Sequence, residues 1–257
     1  MKTDLFIKTC RKDLPWLKYC LISIEKYAED FRRTVIVIEE KDRIYLETLL
    51  TDLKLKKVYE VRTTNMPHTD KDYPHGIGYQ WQMAVKLSWT DYTDADVIII
   101  TDSDTIFTST VNPDTWKSDG KWLWIRRTVA DATDPNNGYP FGSAVEAFLG
   151  HEVKYDYMCC QCFALTREAT IMFQQYMQTK YNMTPYEYLL SDNGISFSEF
   201  VTLGAFIDSE MYYSGYVFRH PSEWPNYKPF PTEQYWSWAS EEDRNKTFKD
   251  IEKILNI

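Results

Sequence analysis

The sequence has no long hydrophobic run. Its 257 residues contain no stretch of about 18 consecutive apolar residues, so we expect no membrane-spanning helix. The opening MKTDLFIKTC holds an apolar stretch that is too short and too charged for a secretory signal. Internal repeats and low-complexity linkers are also missing. These absences predict one domain over residues 1–257, located in the cytoplasm or peripherally at the membrane face.

Cysteine is scarce and unevenly placed. The five residues are Cys10, Cys20, Cys159, Cys160 and Cys162. An odd number with two adjacent members does not predict a disulfide framework in a chain of this length, which favours a reducing compartment. The C-C-x-C cluster lacks a second Cys or His pair at zinc spacing. We therefore interpret it as small buried side chains on a strand, with a soft-metal site as the alternative.

Positive charge is in deficit, because 29 Lys and Arg stand against 38 Asp and Glu, a net charge of −9. This balance disfavours sequence-independent binding to a nucleic-acid backbone, which needs cations gathered on one face. Aromatic residues, in contrast, are abundant at 16%. Such side chains fill cores or stack on flat and ring-shaped ligands.

Apolar runs alternate with helical spacing through the first half. We predict strands at 4–10, 34–38, 58–61 and 96–101, and helices from the N-cap Asp13, over 42–53 and over 79–89. Strands that alternate with helices are typical of a mainly parallel α/β sheet with helices on both faces. Ligands of such sheets bind outside the carboxyl ends of the strands. We therefore expect a site just after Thr101.

The second half follows a different pattern. We predict a loop at 128–157, a final helix from Glu241 with Ser240 as its cap, strands at 121–127, 160–165 and 212–219, and a helix over 167–180. Aromatic side chains at 139–157 and in the Pro-rich tail at 224–238 are candidates for stacking on sugar rings. Covering an edge of the core is the alternative role for them.

The strongest chemical signal is Asp102-Ser103-Asp104, directly after the apolar run 97–101. Two carboxylates one residue apart repel each other in a partly dry site. A divalent cation such as Mn²⁺ or Mg²⁺ removes this conflict, because it takes oxygen ligands and leaves positions for a phosphate. A pair of solvated turn aspartates is the alternative.

Three segments carry a resemblance to a known family. With VIIITDSDTIF (97–107), GYQWQMAVKL (78–87) and LFIKTCRKDLPWLKYCLISI (5–24), the sequence resembles the GT-A class of nucleotide-sugar-dependent glycosyltransferases. The resemblance implies a GT-A (Rossmann-like) fold. It makes residues 1–110 the nucleotide-sugar-binding half and residues 111–257 the acceptor-binding half.

The same resemblance implies roles for single residues. Asp104 would be the main metal ligand, Asp102 a second ligand or a ribose contact, and His220 a further ligand, unless His220 only packs or caps before Pro221. The expected donor-binding residues are Thr9, Lys8, Arg11, Glu39, Gln80, Gln82 and Lys86, of which the last three are solvated helix positions in the alternative interpretation. Arg126 and Arg127 are candidates for holding phosphates.

The reaction also needs a general base, because a sugar hydroxyl is a weak nucleophile. We expect Glu199 to accept its proton, with Asp192 and Glu152 in reserve. The alternative is structural, since Ser196 and Glu199 have the spacing of a capping box. A carboxylate base suits an inverting reaction, in which the metal neutralises charge on the departing diphosphate.

These residues predict a metal-dependent hexosyl- or pentosyltransferase that uses a nucleotide diphosphate sugar, a UDP-sugar first. The expected acceptor is a glycan or lipid-linked glycan, while the acidic balance disfavours a hydroxymethylated DNA base. Two other functions stay open. A haloacid-dehalogenase-like phosphatase also uses a D-x-D after an apolar strand, although Ile106 stands where that family has Thr or Val. A catalytically silent nucleotide- or sugar-binding protein is the second.

Overall fold

The computed structural model of the protein describes residues 1–68, 71, 73, 75–133, 141–160, 162–211, 215–235 and 241–257. The strands of these residues are β1 (Thr3–Lys8), β2 (Thr34–Glu39), β3 (Tyr59–Thr64), β4 (Val97–Ile100), β5 (Thr105–Phe107), β6 (Lys117–Ser118), β7 (Lys121–Ile125), β8 (Arg127–Thr128), β9 (Tyr155–Asp156), β10 (Phe163–Thr166), β11 (Tyr216–Arg219) and β12 (Thr232–Gln234). The helices are α1 (Leu14–Tyr27), α2 (Arg43–Leu53), α3 (Ile77–Leu87), α4 (Val129–Ala132), α5 (Gly142–Leu149), α6 (Arg167–Tyr181), α7 (Pro185–Leu189), α8 (Glu199–Glu210) and α9 (Glu241–Leu255).

The chain divides into two units. The first unit comprises Met1–Asn65, Ala95–Trp116 and Phe230–Ile257, and the second comprises Met66–Asp94 and Lys117–Pro229. None of the helices in the described part of the chain has the length and apolar character that crossing a bilayer requires.

Parallel strands form the sheet of the first unit. β1 pairs with β2 and with β4, and β2 pairs with β3, each time in parallel. The register places Phe6 of β1 beside Val35 of β2 and Ile100 of β4. These three strands are almost entirely buried, as their continuous apolar runs require. The predicted fold class, α/β with a mainly parallel sheet flanked by helices, is confirmed.

The end of the chain completes the first unit. β12 pairs antiparallel with β5, so that Gln234 lies opposite Thr105. On α9, the Phe248 ring lies 4.7 Å from the Trp16 ring and 4.9 Å from the Tyr19 ring, both on α1. The residues after Phe230 therefore pack on elements of the N-terminal half, although the sequence places them far away.

The second unit contains a smaller mixed sheet and the most buried helix. β7 pairs in parallel with β11 and antiparallel with β6. α8 is buried from Glu199 to Phe206 and beyond. At Gly204 this helix comes so close to Tyr157 that a Cβ atom built on Gly204 would lie 2.5 Å from the Tyr157 Cβ. A glycine is needed at this point because close-packed neighbours leave no room for a methyl group.

Several predicted boundaries were wrong. The strand predicted at 58–61 continues to Thr64, because polar residues extend its pairing with β2. The strand predicted at 160–165 begins only at Phe163, so Cys159 and Cys160 precede it and are half-exposed. The predicted loop at 128–157 contains α4 and α5, of which α4 is capped by the Thr128 side chain.

The predicted helix caps had mixed outcomes. Asp13 stands at the N-cap position of α1 but makes no side-chain capping bond. α9 begins at Glu241 as predicted, and Ile251 and Leu255 form its buried stripe. Ser240, residues 212–214 and part of the aromatic segments (139–140 and 236–238) lie outside the described residues. All five cysteines are free, in agreement with the expectation of no disulfide framework.

Candidate functional site

Three strand ends bring predicted donor residues to one edge of the first unit. β1 ends at Lys8, β2 at Glu39 and β4 at Ile100. Because these strands are parallel, their carboxyl ends lie at the same edge of the sheet. Thr9, Glu39 and Asp102 therefore share that edge, which we call the carboxyl edge.

A hydrogen bond joins two of the strand ends. Ser103 Oγ donates to Thr9 Oγ1 at 3.1 Å, and both side chains are buried. The Thr9 backbone N–H donates to Val37 O at 2.9 Å, which ties the same turn to β2. The Cys20 thiol donates to the Asp102 carbonyl at 3.7 Å. The turn between β4 and β5 is thus held from β1 and from α1.

Asp104 is buried, at 8% exposure, and is contacted by β12. The Gln234 amide nitrogen lies 3.5 Å from Asp104 Oδ1, and the Tyr235 backbone N–H donates to the Asp104 carbonyl at 2.8 Å. Gln234 is a site residue that the sequence analysis missed. No motif marks it, because only the pairing of β12 with β5 brings it to Asp104.

The oxygen atoms at the carboxyl edge suit a hard divalent cation. Asp102 and Asp104 offer carboxylates, and the Gln234 amide nitrogen approaches the Asp104 carboxylate. Among the described residues, no three His, Cys, Asp or Glu form a group that could hold a metal. A cation with one or two protein carboxylates is typical of Mg²⁺ sites, where water and phosphate oxygens supply the other ligands. The residues present therefore fit Mg²⁺ or Mn²⁺ in that mode.

The other predicted donor residues of the first unit have structural partners. Lys8 is buried, and its Nζ donates to the Thr9 carbonyl at 2.6 Å. The Arg11 guanidinium lies 3.8 Å from the centre of the Tyr45 ring. Glu39 pairs with Lys41 at 2.8 Å. Burial, and then Asp13, raise the pKa of the nearby Cys10 to about 11, so that this residue is a neutral thiol and not a nucleophile.

In the second unit, a buried ion pair joins two predicted residues. Lys86 Nζ on α3 lies 3.1 Å from Glu199 Oε1 on α8, and the side chains are only 1% and 6% exposed. The ammonium group also lies 4.7 Å from the centre of the Phe200 ring. Ser198 is the N-cap residue of α8, so the alternative capping box of Ser196 and Glu199 is not formed. Glu199 is instead held by Lys86.

Gln80 and Gln82 also lie on α3. Gln80 is fully buried, and its amide nitrogen donates to the Ile195 carbonyl at 3.5 Å. Its amide oxygen has no hydrogen-bond partner among the described residues. Gln82 is half-buried. The interpretation as solvated helix positions is therefore wrong for Gln80, and for Lys86 as well.

The remaining candidates of the second unit lie nearer the surface. Asp192 pairs with Lys71 at 3.0 Å and is 86% exposed, and Glu152 is exposed as well. The His220 ring accepts from the Ser222 backbone N–H, as the N-cap of a short 3₁₀ turn, and its Nε2 lies 3.8 Å from Asp131. The His220 ring therefore caps this turn through Nδ1.

Arg126 and Arg127 pair with acidic residues. Arg126 bonds Asp208 and stacks on the rings of Tyr155 and Phe218, at 3.9 and 4.9 Å from their centres. Arg127 Nε donates to Asp156 at 3.0 Å. The Tyr157 hydroxyl donates to Asp208 at 2.7 Å, and burial, together with this bond, raises the pKa of Tyr157 above its ordinary value.

Similarity to solved structures identifies the fold. The structure superimposes on the galactosyltransferase LgtC, solved with donor and acceptor sugar analogues, with a TM-score of 0.58, 11% sequence identity and coverage of 98% of this chain and 95% of that one. The fold is of the GT-A type. A second similar structure is the inositol-1-phosphate CTP transferase from T. maritima, with a TM-score of 0.50, 12% identity and coverage of 99% and 96%. At these identities the likeness concerns the fold alone. No family model and no curated protein matches the sequence.

Proposed function

We propose that this protein is a metal-dependent glycosyltransferase. It would move a sugar from a nucleotide diphosphate sugar, a UDP-sugar first, to a hydroxyl of a glycan or lipid-linked glycan. One observation carries the proposal: two carboxylates, Asp102 and Asp104, follow the buried strand β4 at the carboxyl edge of a parallel sheet. Open α/β sheets bind their ligands at that edge.

The similar structures agree with this class of substrate. LgtC is named a galactosyltransferase and was solved with donor and acceptor sugar analogues, and the T. maritima protein is named a CTP transferase. Both names describe transferases. They share a fold with this chain, and a shared fold does not by itself imply a shared function. The Asp102-Ser103-Asp104 motif is what supports a similar donor for this chain.

At the carboxyl edge, Asp104 and Asp102 would hold Mn²⁺ or Mg²⁺, and Gln234 would orient the Asp104 carboxylate. A cation held there would neutralise the negative charge that grows on the leaving diphosphate. Thr9, Lys8, Arg11 and Glu39 are the proposed donor-binding residues of the first unit. Thr9 is the best supported of them, because Ser103 fixes its hydroxyl beside the motif.

In the second unit we propose Glu199 as the general base, with Asp192 and Glu152 in reserve. Its carboxylate is shielded from water and held by Lys86, and a positioned carboxylate can take the acceptor proton as the bond forms. Gln80 and Lys86 remain proposed donor contacts, and His220 a proposed further ligand. A carboxylate base favours inversion at the anomeric carbon.

Calorimetric titration with UDP, GDP and CMP, with and without Mn²⁺, tests the proposal. We expect one nucleoside diphosphate to bind only with Mn²⁺, and Asp104→Asn to weaken this binding at least about tenfold, since it removes a charged ligand from the metal. The matched control is Asp52→Asn, which changes an exposed aspartate of the same unit and should leave binding unchanged.

Three results would separate the alternatives. Absence of nucleotide binding under all these conditions would reject the transferase. Metal-dependent binding without consumption of any donor sugar would favour a silent binding protein. Hydrolysis of a phosphate monoester that is lost in Asp102→Asn would favour the phosphatase.

A further inference from the structure

The strand β3 stands at the outer margin of the parallel sheet of the first unit. It pairs with β2 over all of its six residues, Tyr59–Thr64, and in the described part of the chain no strand pairs with its other side. β1 and β2 are almost entirely buried, whereas the residues of β3 are half-exposed or exposed as far as Thr63. We call the side of β3 that faces away from β2 its outer side.

The backbone of β3 directs alternate residues to the outer side. In a parallel pair, every second residue of a strand points its N–H and C=O groups at the neighbouring strand. The Thr34 N–H of β2 donates to the Val58 carbonyl at 2.9 Å, so the even-numbered residues face β2. Tyr59, Val61 and Thr63 therefore present their backbone donors and acceptors to the outer side, where these groups can bind another strand.

β3 lacks the features that usually prevent a strand at the margin of a sheet from pairing. Its sequence YEVRTT contains no proline, glycine or lysine, and the strand is as long as β1 and β2. Its register with β2 is continuous, without a bulge. Tyr, Val and Thr favour strands and pair well with one another across them. The outer side is thus suited to accept a further strand.

The charges of β3 are complementary to those of a second copy of the same strand. Two copies that pair antiparallel about Val61 place Glu60 of each chain opposite the partner's Arg62, and symmetry makes this contact occur twice. Arg62 is 47% exposed and contacts Glu60 of its own strand, and Arg33 contacts Glu60 as well. In the dimer the four charges of the two strands alternate in sign, so neither carboxylate loses a cationic neighbour.

Charge also selects one register of this pairing. Because the outward-facing residues have odd numbers, a hydrogen-bonded pair of strands can be centred on Glu60, Val61 or Arg62. A centre at Glu60 places this carboxylate opposite the partner's Glu60, and a centre at Arg62 places two arginines opposite each other. Like charges directly opposite each other destabilise a sheet. Of the three, the centre at Val61 alone pairs opposite charges, and it also places Tyr59 opposite the partner's Thr63.

We propose that the outer side of β3 is a homodimer interface, in which two copies of this chain join their sheets through antiparallel β3 strands about a twofold axis at Val61. Tyr59, Val61 and Thr63 form up to about six backbone hydrogen bonds across that axis. The interface is small, so the dimer is weak, with a Kd of about 10–100 µM. Dimer formation does not depend on the proposed transferase reaction.

Sedimentation equilibrium of the full chain between about 5 and 300 µM tests the proposal. We expect the average mass to rise from 30.5 kDa towards twice that value. Arg62→Glu should weaken the association about tenfold or more, because it places two carboxylates opposite each other at two positions. Lys249→Glu, the same charge reversal at an exposed position of α9, should leave the association unchanged. A chain that stays monomeric at about 300 µM, or equal association of Arg62→Glu and the unchanged protein, overturns the proposal.

Two further variants test the pairing itself. Val61→Pro removes an N–H that faces away from β2, so it should abolish the dimer and leave the ladder with β2 intact, which thermal unfolding checks. A dimer that survives in folded Val61→Pro uses another surface, and the proposal fails.

A charge exchange tests the register. Glu60→Arg should not associate with itself, because arginines then stand opposite each other. Mixed with Arg62→Glu it should form a heterodimer, since every opposite position then carries opposite charges. If the mixture associates no more than either variant alone, the register is wrong and the proposal is rejected. This exchange decides the question even where Val61→Pro does not fold.

Discussion

At the scale of single residues, the buried pair of Lys86 and Glu199 has a large energetic consequence. Both side chains are almost fully buried, and they lie 3.1 Å apart on different helices. Taking two charges out of water costs several kcal/mol per ion, and their mutual attraction offsets this only while both are present. Removal of one partner therefore leaves an uncompensated charge in the interior of the second unit.

We predict that Lys86→Met lowers the free energy of unfolding by about 3–5 kcal/mol, because Glu199 then stays buried without its partner. Urea unfolding followed by circular dichroism measures this change. The double variant Lys86→Met/Glu199→Leu should recover a large part of the loss, since it removes both charges together.

The matched control is Lys71→Met, which breaks an exposed pair. Lys71 and Asp192 are 47% and 86% exposed, so the loss should stay below about 1 kcal/mol. Equal effects of the two single variants would contradict the view that burial makes the Lys86 pair costly to break.

At the scale of elements, the position of α8 depends on one glycine. A Cβ atom on Gly204 would lie within 2.5–2.8 Å of three side-chain atoms of Tyr157. The Tyr157 hydroxyl is bound to Asp208 one turn further along the same helix. The ring therefore cannot withdraw without losing that bond, and α8 would have to shift.

We predict that Gly204→Ala lowers the free energy of unfolding by about 1–3 kcal/mol, because overpacking at this contact forces the helix or the ring to move. Gly78→Ala on α3 is the control, since a Cβ there meets nothing within 4 Å and alanine favours a helix by up to about 1 kcal/mol. Thermal unfolding of both variants measures how much each substitution changes the stability of the protein. A stabilised Gly204→Ala variant would contradict the close contact.

Elements differ in how well the sequence predicts them. β1, β2 and β4 follow from apolar runs such as TVIVI and VIII, since a strand buried on both faces needs no polar alternation. β12 has no such run, and its three residues are a strand only because they pair with β5. α4 and α5 lie in a stretch rich in Asp, Asn, Gly and Pro, where turn-forming residues conceal short helices.

At the scale of the whole molecule, ionisation of buried groups makes stability depend on pH. The Cys10 thiol has an ordinary pKa of 9.0, which burial and Asp13 raise to about 11 in the folded protein. Below pH 9 the thiol is protonated in the folded and the unfolded chain alike. As the pH rises from 9 to 11, the unfolded chain releases this proton first, so the stability contributed by the protonated thiol is lost.

We predict that the free energy of unfolding of the protein falls more steeply than that of Cys10→Ser between about pH 8 and pH 11. Because the thiol is partly exposed, the difference should amount to about 1 kcal/mol. Urea titrations at the two pH values measure it. Parallel pH dependence of the two proteins would contradict the raised pKa of Cys10.

The parallel sheet of the first unit, and the position of Asp102-Ser103-Asp104 at its carboxyl edge, can be predicted from the sequence without a structure. Both follow from local patterns, namely apolar runs and the residues that directly succeed them. The tertiary structure alone decided that Gln234 contacts Asp104 and that Lys86 pairs with Glu199. Partners so distant along the chain leave no periodic signal, because only the packing of whole elements brings them together.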